Sequence, residues 1–211
     1  MAVKKQWYEI VAPKMFGGGV VGETLAADAK HLIGRVIFVS LPEISRDYAK
    51  FYIKLKLQIE STNGAKAQTK LVGHDVMRER VYRMVQRYIR RVDCIQDVTT
   101  KDGVKLRVKT LLILIKRVGT SRKDGVRKAC KEAVDRIASE TDFEALMFMI
   151  IKGELQNKLR KECSKAYPIG NIEVRKTEVL SGDVTSTGKE KQPEKKAKKE
   201  EKEEQAEESA E

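Results

Sequence analysis

The chain has 211 residues, with 43 Lys and Arg against 31 Asp and Glu and a formal net charge of +12. From Lys189 to the end 7 Lys face 9 Glu, so the first 188 residues carry a net charge of +14. This excess favours a polyanionic partner, namely RNA, DNA or an anionic membrane surface. Apolar runs such as residues 111–115 are far shorter than the ~20 residues of a membrane-spanning helix. Residues 1–7 lack a signal-peptide core. We therefore expect a soluble, intracellular protein without a membrane partner.

The cysteine pattern predicts neither a metal site nor disulfides. Cys94, Cys130 and Cys163 form no CxxC pair, and both histidines lie far from them in sequence. Zinc sites use closely spaced ligands, and disulfide frameworks use an even number of cysteines. Cys130 is expected to be a small buried residue on the apolar face of a helix, as in a reducing compartment.

The first clear elements are strands. Residues 35–41 are one candidate, and the alternation of apolar residues with Lys and Gln over residues 51–59 predicts a strand with one face in solvent. The turn dipeptide Asn63-Gly64 predicts a hairpin that returns over residues 66–72.

Arginine dominates the next segment. Between Arg78 and Arg91 there are six arginines and a single acid, Glu79. Gly73 is expected to end the hairpin, and Asp75 to cap a helix over residues 77–92. At ~100° per residue this helix gathers five of the arginines into one stripe beside an apolar face. Because the guanidinium group holds phosphate oxygens in pairs, the stripe predicts nucleic-acid contact. The alternative, a solvated surface helix, usually alternates acids with bases.

The rest of the chain is mainly helical. Asp102-Gly103 predicts a turn between strands over residues 95–100 and 104–116. Helical spacing begins near residue 121, and Thr141 with Glu144 forms a capping-box pattern for a further helix. Residues 169–180 are expected to return as a last strand.

These elements predict an α+β fold, with a mainly antiparallel sheet flanked by amphipathic helices. The sheet either stays open or closes like a barrel. Residues 1–180 are expected to form a single compact domain, strand-rich to about residue 118, helical over 121–167 and closed by the strand at 169–180. The low-complexity Lys/Glu tail, residues 181–211, is expected to be disordered.

Catalytic patterns are weak. The glycines of residues 17–22 are followed by Glu23-Thr24 instead of the Lys-Ser/Thr of a phosphate loop. His74 lies beside Asp75, but adjacent residues of this kind do not face each other as base and orienting acid. We therefore predict no catalytic residues, no metal and no cofactor, and hence no enzyme.

A collinear set of motifs runs through the chain. It begins with WYEIVAPKMF from Trp7 to Phe16. It continues with Gly34-Arg35-Val36, Gly73-His74-Asp75-Val76, Thr99-Thr100-x-Asp102-Gly103, Tyr167-Pro168-Ile169 and Val174-Arg175-Lys176. This set resembles an archaeal and eukaryotic family of small-subunit ribosomal proteins called eS-one, or S-three-A-e, over roughly residues 4–180. The chain starts close to the signature, without the basic extension of eukaryotic members, which suggests an archaeal member.

The resemblance implies a structural protein of the small ribosomal subunit, cytoplasmic and ribosome-associated. It implies a place on the platform, near the messenger exit and the 3′ end of the small-subunit RNA. The implied partners are small-subunit ribosomal RNA and neighbouring platform proteins, with messenger RNA and initiation factors as further candidates. The family carries no catalytic motif to transfer.

We expect basic side chains to bind RNA phosphates. The arginine helix comes first, then the strand-to-helix joint and the N-terminus; the candidates are Arg80, Arg83, Arg87, Arg90, Arg91, Lys116, Arg117, Arg122, Lys123, Lys4 and Lys5. Trp7 and Tyr8 are expected to anchor the first strand in the core, with base stacking as the alternative. Two other functions stay open. One is an RNA-processing or RNA-modifying enzyme. The other is a protein-interaction adaptor that docks the apolar face of a helix over residues 143–151.

Overall fold

The computed structural model describes residues 4–45 and 47–181, so the predicted tail lies outside it from residue 182 onward. The strands are β1 (Gln6–Val11), β2 (Val20–Ala26), β3 (Val36–Ser40), β4 (Ile53–Asn63), β5 (Lys66–Val76), β6 (Arg90–Thr99), β7 (Lys105–Leu114) and β8 (Ile169–Ser181). The α-helices are α1 (Leu41–Ser45), α2 (Arg78–Met84), α3 (Thr120–Glu140), α4 (Phe143–Lys152) and α5 (Glu154–Cys163). Short 3-10 helices lie at Lys14–Phe16, Ala29–His31 and Tyr48–Lys50. The predicted α+β class is confirmed.

In the described part of the chain, eight strands form one sheet. Six of them lie in the order β3-β4-β5-β8-β7-β6, with every neighbouring pair antiparallel. β1 runs parallel to the first part of β5, and β2 pairs with β1. One edge of β5 therefore contacts β1 at its start and β8 at its end. The sheet stays open, so the barrel-like alternative is not formed.

Helices α3, α4 and α5 cover one face of the sheet. The period of two in β4 buries Ile53, Leu55 and Leu57 against them, and the intervening lysines lie on the other face. The apolar face of α4 is buried in the same cluster as the apolar face of α3. This face is therefore not free to dock a partner, and the adaptor hypothesis as stated is wrong.

The predicted helix over residues 77–92 is too long. α2 ends at Met84, Val85 is extended, and Tyr88 has a left-handed backbone with φ 64°. The chain then enters β6, where Val92 and Cys94 are buried as alternate residues. Both periods fit this sequence, and burial of the alternate residues in the sheet outweighs helical propensity.

Gly73 and Asp75 also differ from prediction, because both lie inside β5. A Cβ on Gly73 would lie 2.1 Å from the backbone oxygen of Thr177, so this glycine permits the close approach of β5 and β8. Asp75 does not cap α2, whose N-cap residue is Met77, with no side-chain hydrogen bond.

The predicted capping box at Thr141 and Glu144 is not formed. The Thr141 hydroxyl donates to the carbonyl of Ile137 over 2.7 Å, and Asp142 is the N-cap residue of α4. The backbone N–H of Phe143 donates to the carboxylate of Asp102 over 2.9 Å. The β6–β7 turn therefore supplies the acceptor that a local capping residue would otherwise provide.

Candidate nucleic-acid interface

The predicted arginine stripe is divided between two places. Arg80 and Arg83 lie on α2, where Val81 packs the helix onto Val76, Leu111 and Ile113 of the sheet. Arg80 is half-buried, with its guanidinium carbon 4.7 Å from the centre of the Tyr52 ring. Arg83 is exposed.

The other arginines join the strand-to-helix joint. Because Arg90 pairs with Leu114, the start of β6 lies beside the end of β7. The Arg117 guanidinium lies 5.1 Å from the centre of the Tyr88 ring, which connects the two segments directly. We call this group the basic end; it comprises Arg87, Arg90, Lys116, Arg117 and Arg122, all exposed. Lys123 follows in the first turn of α3 and is half-buried.

Tyr88 completes the basic end with an aromatic ring. Its side chain is 69% exposed, and one face of the ring is covered by Arg117. An exposed aromatic ring beside arginine can stack a nucleic-acid base in addition to the phosphate contacts of its neighbours.

Arg91 is exposed but forms an ion pair with Asp93. Its Nε and Nη2 atoms lie 3.0 and 2.9 Å from the same Oδ1 atom of Asp93. Arg91 is therefore a weaker candidate for phosphate than its neighbour Arg90, for which the described residues provide no carboxylate within salt-bridge distance.

The structure does not bring Lys4 and Lys5 to the other candidates. They precede β1, whose Glu9 lies opposite Lys66 at the start of β5, whereas α2 follows the end of β5. The length of β5 therefore separates these lysines from α2 by roughly 30 Å. Tyr8 is 6% exposed and in the core as predicted, but Trp7 is 65% exposed, so the prediction that it anchors the core is wrong.

The face of the sheet opposite α3 to α5 carries many charged residues. Cross-strand register aligns two rows across it: Ser40, Lys54, Asp75, Lys176, Lys109 and Ile95 in one, and Phe38, Lys56, Gly73, Glu178, Arg107 and Asp97 in the other. The sequence predicted lysines on the solvent face of β4, but not that they align with charged residues of other strands across one sheet.

Ion pairs neutralise much of this open face. Arg107 donates two hydrogen bonds to Asp97, over 2.7 and 2.8 Å. Glu178 binds Lys176 and Lys109 over 2.5 and 2.9 Å, and these two lysines lower the pKa of Glu178 to about 2. In contrast, no cation of the basic end forms an ion pair with a carboxylate of residues 4–45 or 47–181.

His74 and Asp75 both have structural contacts within the sheet. His74 is fully buried, with Nε2 2.9 Å from the carbonyl oxygen of Val174 and Nδ1 2.7 Å from the Thr177 hydroxyl. Nε2 must therefore donate, and Nδ1 accepts from the hydroxyl. Asp75 points to the opposite face of the sheet, aligned with Lys54 and Lys176.

The three cysteines are buried as free thiols. Across the described ranges, no group of His, Cys, Asp and Glu could hold a metal ion. None of the helices described here has both the length and the apolar character needed to cross a membrane.

Comparison with known proteins adds the family. A sequence model described as the Ribosomal S3Ae family matches residues 2–183. The chain belongs to this family. Relatives called small ribosomal subunit protein eS1 are 35% identical in Methanothrix thermoacetophila and 37% identical in Methanothermobacter thermautotrophicus. These matches cover 84% of this chain, and 84% and 91% of the relatives. In Desulfurococcus amylolyticus the identity is 38%, over 83% of both chains.

Membership of the Ribosomal S3Ae family confirms the predicted family. It also confirms the prediction of a structural ribosomal protein that is not an enzyme. The relatives named above are archaeal, in agreement with the suggested archaeal type.

Proposed function

We propose that this protein is a constituent of the small ribosomal subunit that binds ribosomal RNA through the basic end and α2. The observation that carries the proposal is the distribution of charge. The cations of the open sheet face are largely paired with carboxylates, whereas those of the basic end are exposed without such partners in the described chain. The names of the archaeal relatives support a place in the small subunit.

The binding mechanism follows from the side chains. Arg83, Arg87, Arg90, Lys116 and Arg117 present donors that can hold phosphate oxygens, so they position the protein on folded RNA and do not read its sequence. Lys4, Lys5, Arg91 and Lys123 are secondary candidates, because they are distant, paired or half-buried.

The finer placement belongs to the same proposal. The family resemblance supports a site on the platform near the messenger exit, in the cytoplasm. Platform proteins would be its neighbours, and messenger RNA and initiation factors would lie within reach. The alternative of an RNA-processing or RNA-modifying enzyme has no support in the family or in the contacts of the titratable residues described above.

The proposal is tested with two triple variants that remove the same charge. Arg83, Arg87 and Arg90 are changed to Gln in one, and the ion-paired Arg107, Lys109 and Lys176 in the other. Binding to small-subunit ribosomal RNA is measured over a range of salt concentrations. The first variant should flatten the slope of log affinity against log salt by just under about one unit per lost phosphate contact. The control should change the slope much less.

Equal slopes for both triple variants would show that these positions do not carry the binding. Co-sedimentation of the tagged chain with the small subunit, through sucrose at moderate and high salt, tests the ribosomal assignment itself. Migration as a free protein at moderate salt would contradict it.

A further inference from the structure

A polar cleft lies next to α2, beside a gap in the sheet. β5 pairs with β8 only through Gly73, His74 and Asp75, and the chain then turns into α2. The first part of β8, from Ile169 to Glu173, therefore has a strand partner on its β7 side only. A cavity of about 190 Å³ lies there, between the segment around Tyr52, the end of α4, the start of α5 and β8.

The inner wall of the cleft presents hydrogen-bond acceptors. Glu173 is 6% exposed, and its one hydrogen bond within the described residues comes from the Gln156 side-chain amide over a long 3.4 Å. The same amide nitrogen donates to the carbonyl of Ile150 over 3.0 Å, which fixes the orientation of the Gln156 side chain. Gln156 Oε1 is buried and has no donor among the described residues. A buried carboxylate and amide oxygen in this state require donors from a ligand or solvent.

The mouth of the cleft has the opposite chemistry. Lys152 and Lys50 line it; Lys152 is exposed, whereas Lys50 lies 3.6 Å from the carboxylate of Asp47. Burial raises the pKa of both Tyr52 and Glu173, and the charge of Arg80, whose guanidinium carbon lies 4.7 Å from the centre of the Tyr52 ring, partly opposes this. These cations disfavour a bound ammonium group. The wall therefore accepts donors, while the mouth attracts an anion.

A nucleotide combines these two properties. Among the common bases, guanine carries two adjacent donors, N1–H and N2–H₂, on its Watson–Crick edge, and a carboxylate can accept both at once. The cavity exceeds the roughly 150 Å³ that encloses a benzene molecule, and its open side leaves room for ribose and phosphate. Unpaired, splayed-out bases are also the usual target of base recognition in folded RNA.

We propose that this cleft holds an unpaired guanine base of the bound RNA, with Glu173 accepting from its N1–H and N2–H₂ groups and the exposed Lys152 near its phosphate. This proposal rests on the RNA-binding function proposed above. The cleft adjoins that interface through Tyr52 and Arg80, so one RNA strand can contact α2 and insert a base beside it.

The test measures the binding of guanosine 5′-monophosphate and of inosine 5′-monophosphate to the full chain. Binding is monitored by NMR of the backbone amides. Inosine lacks only the N2 amino group and so loses one hydrogen bond to a charged acceptor. We expect the guanosine nucleotide to bind at least about tenfold more tightly. Its shifts should centre on Gln156, Asn171 and Glu173.

Glu173→Gln should reduce this preference to less than about twofold, because one acceptor oxygen becomes a donor amide. The fold should persist, since the change removes a buried charge without altering its shape. Glu178→Gln on the open face is the matched control and should keep the full preference.

Equal binding of the two nucleotides, or a preference that survives in Glu173→Gln, would overturn the proposal. Binding of an N-acetyl-lysine amide in place of guanosine monophosphate would also overturn it, in favour of a partner protein. Co-sedimentation with the small subunit is scored separately for wild type and Glu173→Gln. If the chain co-sediments but does not distinguish the nucleotides, only the cleft proposal fails; if it does not co-sediment, the proposed function fails.

Discussion

Gly73→Ala should destabilise the protein through one backbone contact. A Cβ at this position would lie 2.1 Å from the backbone oxygen of Thr177 and 2.9 Å from its carbonyl carbon. Both atoms belong to a central strand, so no side-chain rotation can relieve the overlap. The strands must separate by more than about 1 Å to restore ordinary van der Waals distances. That shift would stretch the adjacent hydrogen bond from His74 N–H to Thr177 Oγ1, now 3.1 Å.

The expected loss follows from the cost of overpacking. Substitutions that overpack a core lower the free energy of unfolding by about 1–3 kcal/mol. Because the new Cβ would overlap backbone atoms that cannot rotate away, we expect a loss of about 3 kcal/mol or above for Gly73→Ala. Gly125→Ala is the matched control, because Gly125 lies inside α3 and a Cβ there would meet no atom within 4 Å. Gly125→Ala should therefore raise the free energy of unfolding of the protein by about 0.5–1 kcal/mol.

The measurement is urea denaturation followed by circular dichroism, with both variants compared to wild type under one set of conditions. The reasoning predicts opposite signs for the two glycines. A Gly73→Ala variant within about 0.5 kcal/mol of wild type would refute it, since that is the usual range for a neutral surface change. In that case β5 and β8 would not be held at the spacing described here.

Two further predictions concern buried polar contacts. Burial lowers the pKa of His74, so below about pH 6.5 the unfolded chain binds a proton that the folded chain does not. Stability should then fall as pH drops, by up to about 1.4 kcal/mol per pH unit. The free energy of unfolding of wild type and of His74→Gln is measured over a range of pH, and the difference between the two isolates this effect. A difference that does not change with pH would contradict it. Asp102→Ala removes the acceptor for Phe143 N–H and should cost about 1 kcal/mol in urea unfolding; no loss would contradict its capping role.

Local patterns predicted the elements whose burial follows their own sequence. The alternation in β4, the turn at Asn63-Gly64 and the helical spacing of α3 agree with the structure because each segment buries one regular face. The break after α2 was not predicted, since residues 77–92 fit a helix as well as a turn and a strand, and only pairing with β7 decides between them. The Asp102 cap of α4 likewise joins residues 41 positions apart.

The candidate site was predicted by residue type more than by geometry. A segment rich in arginine and poor in acids is visible in the sequence. This explains why the basic end contains five of the predicted residues. Its pairing of Arg117 with Tyr88 depends on the β6–β7 register and on the left-handed backbone at Tyr88. The acceptors of the cleft were missed for the same reason. Glu173 and Gln156 belong to β8 and α5, and neither has an unusual sequence context.

The break in the predicted helix also changes what the arginines can bind. A continuous helix would place Arg80 and Arg90 about 15 Å apart along one axis, as an isolated stripe. Instead, the left-handed backbone at Tyr88 directs Arg90 into β6, next to the residues that follow β7. The candidate phosphate-binding side chains then lie at the start of β6, after β7 and at the start of α3, and β6 and β7 are joined through the buried pair Val92 and Leu112. Folded RNA presents phosphates on several strands at once, so a cluster fixed by tertiary packing suits it better than a single helical stripe.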